Sequence, residues 1–297
     1  SAITITNNNV RIVGESKDDT IIQQTNSGAD LIQVYANNVK IENLTLDCET
    51  HSAQAAYVVG DGQTSGSPDT SVGNFNTLDN CRVLGNPTAA LGSGVFAVFV
   101  AGASYSVGAQ TLTAFRNNDL QQGNKVTNCY IKSPWEGDGL SFSLQRLGSV
   151  SNNVVDGTRI AYYMNRNSKV TENEINNSAS TGISVATPHK STLIANNVIN
   201  GSTNTGILVQ PQVEHLPLID DDYINSMSIV GNTIRGAGNN GIELNNTKNN
   251  TVSSNTIHAP DNHGIYLQQT SENTIGLNTI LDPRADTGNA RGSGIYM

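Results

Sequence analysis

The chain has 297 residues, of which 36% are hydrophobic and only 14% charged. Its net charge of −9 and lack of a long basic run argue against nucleic acid as a partner, and no apolar run reaches the ~18 residues of a membrane span. Disordered chains combine low hydrophobicity with high charge, whereas here the polar mass is Asn, Ser, Thr and Gly, the residues of turns; this excludes an all-α protein and predicts many short strands.

The opening SAITIT reads as a strand already under way, not as a leader, and the closing GSGIYM stops inside one. Both predict a segment of a longer chain, or ends covered by partner subunits. Between them, one hexapeptide recurs. It begins loosely as IENLTL from Ile41, LDNCRV from Leu78 and VTNCYI from Val126. It then settles into apolar-x-x-Asn-x-apolar: VSNNVV from Val150, VTENEI from Val170, IANNVI from Ile194, IVGNTI from Ile229, VSSNTI from Val252 and IGLNTI from Ile275. Four of these copies are followed by Gly-Ile-x-apolar, starting at Gly182, Gly206, Gly241 and Gly264.

Repeats spaced mostly 23 or 24 residues apart, made of short alternating segments, indicate a solenoid with one β-coil per repeat. The fold expected is all-β, a right-handed parallel β-helix of about nine to eleven coils, forming a single domain over 1–297. The recurring Asn153, Asn173, Asn197, Asn232, Asn255 and Asn278 should tolerate left-handed backbone and stack in a hydrogen-bonded ladder. Cys81 and Cys129 occupy the same position in earlier coils and read as buried thiols in preference to a bridge. With Cys48 they make neither a disulfide framework nor a zinc site.

Three connections are long: 61–76, 101–123 and 210–226. All fall after the second strand of a coil and before the next ladder segment, so they should emerge on one side and wall a groove from about Leu78 to Asn245. Candidate groove residues follow in chain order. Trp135, Glu136 and Asp138 combine an aromatic face with two carboxyl groups, the components of a glycosidic-bond site. Arg146, Tyr163 and Arg166 come next as substrate-binding candidates. His189 is a candidate base, with Lys190 beside it as a cation able to neutralise a carboxylate. Glu243 faces outward on its strand and joins the substrate-binding set. Asp220 to Asp222 read as a solvated loop, because consecutive strand residues face opposite ways. No metal site and no cofactor are expected.

With these residues in view, the chain resembles carbohydrate-active right-handed β-helix proteins: bacteriophage tailspikes and depolymerases, and more distantly polysaccharide lyases and mannuronan C5-epimerases. TITNNNVRIVGESKDDTII from Thr4 and VKIENLTLD from Val39 look like early tailspike coils. That resemblance implies a homotrimer, extracellular or on a virion surface, that binds and degrades bacterial surface polysaccharide. Asp138-Gly139 is similar to one epimerase element, but the Tyr-x-x-Asp-Pro-His element is missing: Thr187-Pro188-His189 lacks the Asp and follows Asp138. The leading expectation is therefore a glycoside hydrolase with Glu136 or Asp138 as the acid. A lyase or epimerase on a uronic acid polymer, and a non-catalytic adhesin, are the alternatives.

Overall fold

The computed structural model describes residues 3–25, 30–48, 55–60, 71–85, 96–101, 119–133, 139–186, 189–211, 224–284 and 292–297. Its strands form three long parallel sheets, of eleven, ten and ten strands, each ordered along the chain. Every turn of the chain adds one strand to each sheet, which makes the molecule a right-handed parallel β-helix. Ten steps of ~4.8 Å place the eleven strands of the longest sheet along a rod of about 50 Å.

One coil illustrates the rest. Ser149–Ser151 lies in the second sheet, Val154–Asp156 in the third and Ile160–Tyr163 in the longest. In the first two strands of this coil the central side chain points inward, so Val150 and Val155 are fully buried, beside the buried Ser149 and the half-exposed Ser151, Val154 and Asp156. Stacked in register, such residues form continuous columns: Val126, Val150, Val170, Ile194, Ile229 and Val252 in one, Ile131, Val155, Ile175, Ile199, Ile234 and Ile257 in another. β-Branched side chains suit this arrangement because they pack well on a pleated surface.

The ladder of asparagines lies at the corner between the second and third sheets. Each side-chain amide donates to the Oδ1 of the next: Asn153 to Asn173, Asn173 to Asn197, Asn197 to Asn232, Asn232 to Asn255 and Asn255 to Asn278, all at 2.9 Å. The second amide hydrogen reaches a carbonyl of the coil below, as from Asn153 to Val126 and from Asn197 to Val170. Each Oδ1 also accepts a backbone N–H, such as that of Asn173 onto Asn197. From Asn153 to Asn255 these side chains are buried with every polar group satisfied, which is the condition for placing an amide in a core, and Asn278 at the end of the ladder is half-exposed.

The structure divides two roles that the sequence reading gave to one residue. The left-handed conformation belongs to the residue before each ladder asparagine: Asn152 (φ 57°), Glu172 (φ 60°), Asn196 (φ 56°), Gly231 (φ 68°), Ser254 (φ 57°) and Leu277 (φ 58°). Sharing the corner lets the ladder position keep ordinary backbone while its neighbour makes the turn.

The three cysteines are buried and unbridged. Cys129 continues the ladder downward, its backbone N–H donating to Asn153 Oδ1 at 2.9 Å. Burial pushes the Cys48 thiol up to about 12 and raises Cys129 as well. The glycine of the Gly-Ile motif is demanded by close approach. A Cβ on Gly206 would sit 2.6 Å from the Gly241 carbonyl and 2.6 Å from Ile234 Cγ2.

Candidate functional site

The longest sheet carries the connections singled out from the sequence. Strands Ala55–Val59, Phe96–Ala101 and Ile207–Gln210 each run into one of the three insertions, so all three leave the same edge of that sheet. Trp135, Glu136 and Asp138 lie outside the described residues. In sequence, 134–138 stands between strand Tyr130–Lys132 of the third sheet and strand Leu140–Ser143 of the long sheet.

On the insertion side, residues separated in sequence come into line. Arg146 pairs in register with Arg166, and Arg166 with Lys190. Gln122 precedes this column and Asn225 follows it. Three cations thus occupy one position on three successive coils, between the coil extended by 101–123 and the coil extended by 210–226. Arg146 and Arg166 are half-buried and Lys190 is exposed. The Nε of Arg146 is buried and makes no hydrogen bond. Lys125 and Lys169 stand exposed a few residues further round the coil. His189 precedes Lys190 at the coil position held by Gln145 and Asn165 in the two coils before, and both of those are fully buried. The side chain of His189 lies outside the described part.

The outer face of the long sheet is not one open groove. From the strand Leu140–Ser143 onward its outward row runs through Ser141, Ala161 and Ser184, and continues through Leu208 to Glu243, Tyr266 and Tyr296. The first three are buried, as are Ser143, Tyr163 and Ala186 in the neighbouring row. Tyr163 therefore does not line an exposed floor but packs with Ala161 and Ala186. Small side chains in the row allow cover to lie close against these middle coils.

The face opens further along. Asn239, Asn240, Glu243, Asn262, His263, Tyr266, Gln268 and Tyr296 line an open cleft of about 470 Å³. The Glu243 carboxylate is clamped by three donors: Asn240 Nδ2 at 2.8 Å and Thr205 Oγ1 at 3.0 Å on Oε2, and Asn245 Nδ2 at 2.8 Å on Oε1. Beside it, His263, Tyr266 and Tyr296 form a three-ring cluster, with His263 5.6 Å from Tyr266 and 4.6 Å from Tyr296, and the tyrosines 5.5 Å apart, between ring centroids. The Ser293 backbone N–H donates to His263 Nδ1 at 3.2 Å, which assigns the ring proton of the neutral imidazole to Nε2. Burial lowers the pKa of this histidine. The cleft thus offers a fixed anionic acceptor, neutral amides and aromatic edges, a lining suited to a hydroxyl-rich ligand.

Glu243 and Tyr266 were legible as outward strand residues. His263, Asn240 and Tyr296 were missed, although His263 and Asn240 each stand immediately before a Gly-Ile pair and so share one coil position. Register also separates Glu243 from the acidic segment. Leu140 aligns through Ile160, Ile183 and Ile207 with Ile242, four coil steps or about 19 Å. A pair of glycosidase carboxyls works at roughly 5 to 10 Å, so Glu243 is not the partner of an acid in the coil of Leu140.

Comparison with known proteins agrees with this architecture. The family described as right handed beta helix region matches residues 218–297. No match was found among curated proteins. Among solved structures, the bacteriophage CBA120 tailspike protein 2 enzymatically active domain superposes with a TM-score of 0.53 at 14% identity, over 97% of this chain and 46% of that one. The catalytic domain of a GH87 alpha-1,3-glucanase in complex with nigerose gives 0.53 at 13% identity, over 100% of this chain and 61% of that one. DFA-IIIase from Arthrobacter chlorophenolicus, without its lid, gives 0.53 at 13%, over 88% and 61%. The chain therefore spans less than two thirds of each of these relatives, and what it shares with them is the right-handed β-helix fold.

Proposed function

We propose that this chain binds a polysaccharide along the outside of the long sheet and degrades it by hydrolysis of glycosidic bonds, in the manner of a tailspike-type depolymerase. The observation that carries this reading is the open cleft in which a clamped carboxylate, Glu243, adjoins Tyr266, His263 and a set of amides. The tailspike and glucanase likenesses support it at the level of scaffold. In this reading Glu243, held in place by its three donors, accepts hydroxyl hydrogens of a bound sugar and serves as a subsite.

Catalysis would rest with the segment before Leu140. Because Glu243 is too distant, Glu136 and Asp138 form the acid and base pair themselves or draw a partner from a neighbouring coil, with Trp135 as the stacking surface. The location would be extracellular or on a virion, with the chain working as a homotrimer.

The test is a panel of bacterial capsular, O-chain and uronic acid polymers, following reducing ends and the ultraviolet absorbance of unsaturated uronates together. Reducing ends without absorbance, abolished by Glu136→Gln or Asp138→Asn, are expected. Rising absorbance would replace hydrolysis by elimination, with His189 as the base. Binding without any cleavage would make the chain an adhesin.

A further inference from the structure

Arg146, Arg166 and Lys190 place three cations at one position on successive coils. Like charges stacked at one position on adjacent coils repel, at a spacing of ~4.8 Å. Elsewhere the protein offsets such crowding. Lys40, for example, stands between Glu42 at 2.5 Å and Asp79 at 3.3 Å. Among the described residues, no ion pair joins Arg146, Lys190, Lys125 or Lys169 to a carboxylate. These four and Arg166 are five of the 16 Lys and Arg residues of an acidic chain, three in the column and two at the start of second-sheet strands. The neutral Gln122 and Asn225 flank the run of three, and a cation, Lys248, returns at this position one coil beyond Asn225.

From this geometry we infer that the column is a binding ladder for a polysaccharide carrying acidic groups at regular intervals, laid along the helix axis with one anionic group facing each coil. One coil step is close to the length of one sugar unit, so a polymer with an acid on each residue meets a cation at every step. The planar guanidinium group of Arg146 suits a carboxylate or sulfate through two parallel hydrogen bonds, with Arg166 and Lys190 adding positive charge at the next two steps. The net charge of −9 favours such a local device, because the rest of the surface repels the same polymer. This inference deepens the proposal of a glycan-acting protein by naming the class of glycan. It does not depend on whether the glycan is cut.

The experiment is a binding measurement by affinity electrophoresis in gels containing polygalacturonate, dextran sulfate or neutral dextran, at 50 and 200 mM sodium chloride. Retardation is expected with the uronate or the sulfated polymer, weakening with salt, and absent with dextran. Arg146→Gln with Lys190→Gln should weaken that binding by about tenfold. A control pair elsewhere, Lys17→Gln with Arg235→Gln, removes the same charge and should leave it within about twofold. Unchanged thermal midpoints establish that both variants fold, and Lys190→Glu alone is the fallback should the double variant not. Preference for uronate over sulfate, or the reverse, identifies the acid. Equal loss in the control pair, equal retardation by dextran, or equal affinity for single-stranded DNA would overturn the ladder. Cleavage is scored separately, so a protein that binds acidic polymer without cutting it refutes the hydrolase reading and leaves the ladder standing.

Discussion

Asn197 donates its side-chain amide to Asn232 at 2.9 Å, the same distance at which Asn173 donates to Asn197, although the first pair is separated by 35 positions and the second by 24. The insertion at 210–226 therefore leaves the stacking of coils undisturbed. Asn197→Ala should be costly, because it strips an acceptor from the backbone and side-chain amides of Asn173 in a buried corner. A loss of about 3 kcal/mol is expected, read as a drop in the denaturant midpoint. Asn197→Asp should be no milder, since it buries a charge and removes both donors. A change below about 0.5 kcal/mol for both would mean that the ladder contributes order but not stability.

Two glycines should behave oppositely. Gly206→Ala forces a Cβ into the Gly241 carbonyl and the Ile234 side chain, both at 2.6 Å, and should cost at least about 2 kcal/mol. Gly276→Ala meets nothing within 4 Å and should be neutral or mildly stabilising by about 0.5 kcal/mol. Thermal midpoints of the two variants make the comparison.

The buried His263 sets a pH dependence. Its folded pKa lies below the ordinary 6.5 because burial disfavours the imidazolium. Above pH 6.5 the ring is neutral in both states and contributes no slope. As pH falls below that value the unfolded chain takes up a proton that the folded protein refuses, so stability declines until the depressed folded pKa is reached. The midpoint should fall between pH 7 and 5, and His263→Asn should flatten that part of the curve. An identical slope in the variant would assign it to other groups.

Thiol chemistry offers a check on the early coils. Cys48, Cys81 and Cys129 are buried and free, with the Cys48 thiol pushed up to about 12. A disulfide reagent at pH 8 should find no reactive thiol in the native protein and three after unfolding in guanidinium. Two missing thiols after unfolding would point to a bridge between Cys81 and Cys129.

The scaffold was legible because every coil repeats the same physical problem. Val150, Asn153 and Val155 announce an inward side chain, a corner amide and a second inward side chain, and their successors do so again. What the repeat hid was the neighbour of each ladder asparagine, since Glu172, Ser254 and Leu277 adopt left-handed backbone without any shared side-chain chemistry. The candidate site was less legible because it depends on register between coils. Arg146, Arg166 and Lys190 were named one by one, but their alignment requires knowing that the coil containing Lys190 is one residue longer between its long strand and the column. Tyr163 points outward by alternation and is nevertheless covered, a fact that periodicity in one strand does not carry.

The hydrogen bonds that join one coil to the next run nearly along the rod, so a pull on its two ends would load the junctions between coils in series. The first to part would be the weakest. Junctions between Asn153 and Asn278 carry a doubly bonded amide in addition to their backbone bonds, whereas at the equivalent corner Cys81 and Cys129 reach carbonyls of Ile41 and Leu78 only through sulfur, at 3.8 and 3.7 Å. Under tension the molecule should therefore come apart from its cysteine-bearing half, while the coils holding the cation column and the cleft stay wound.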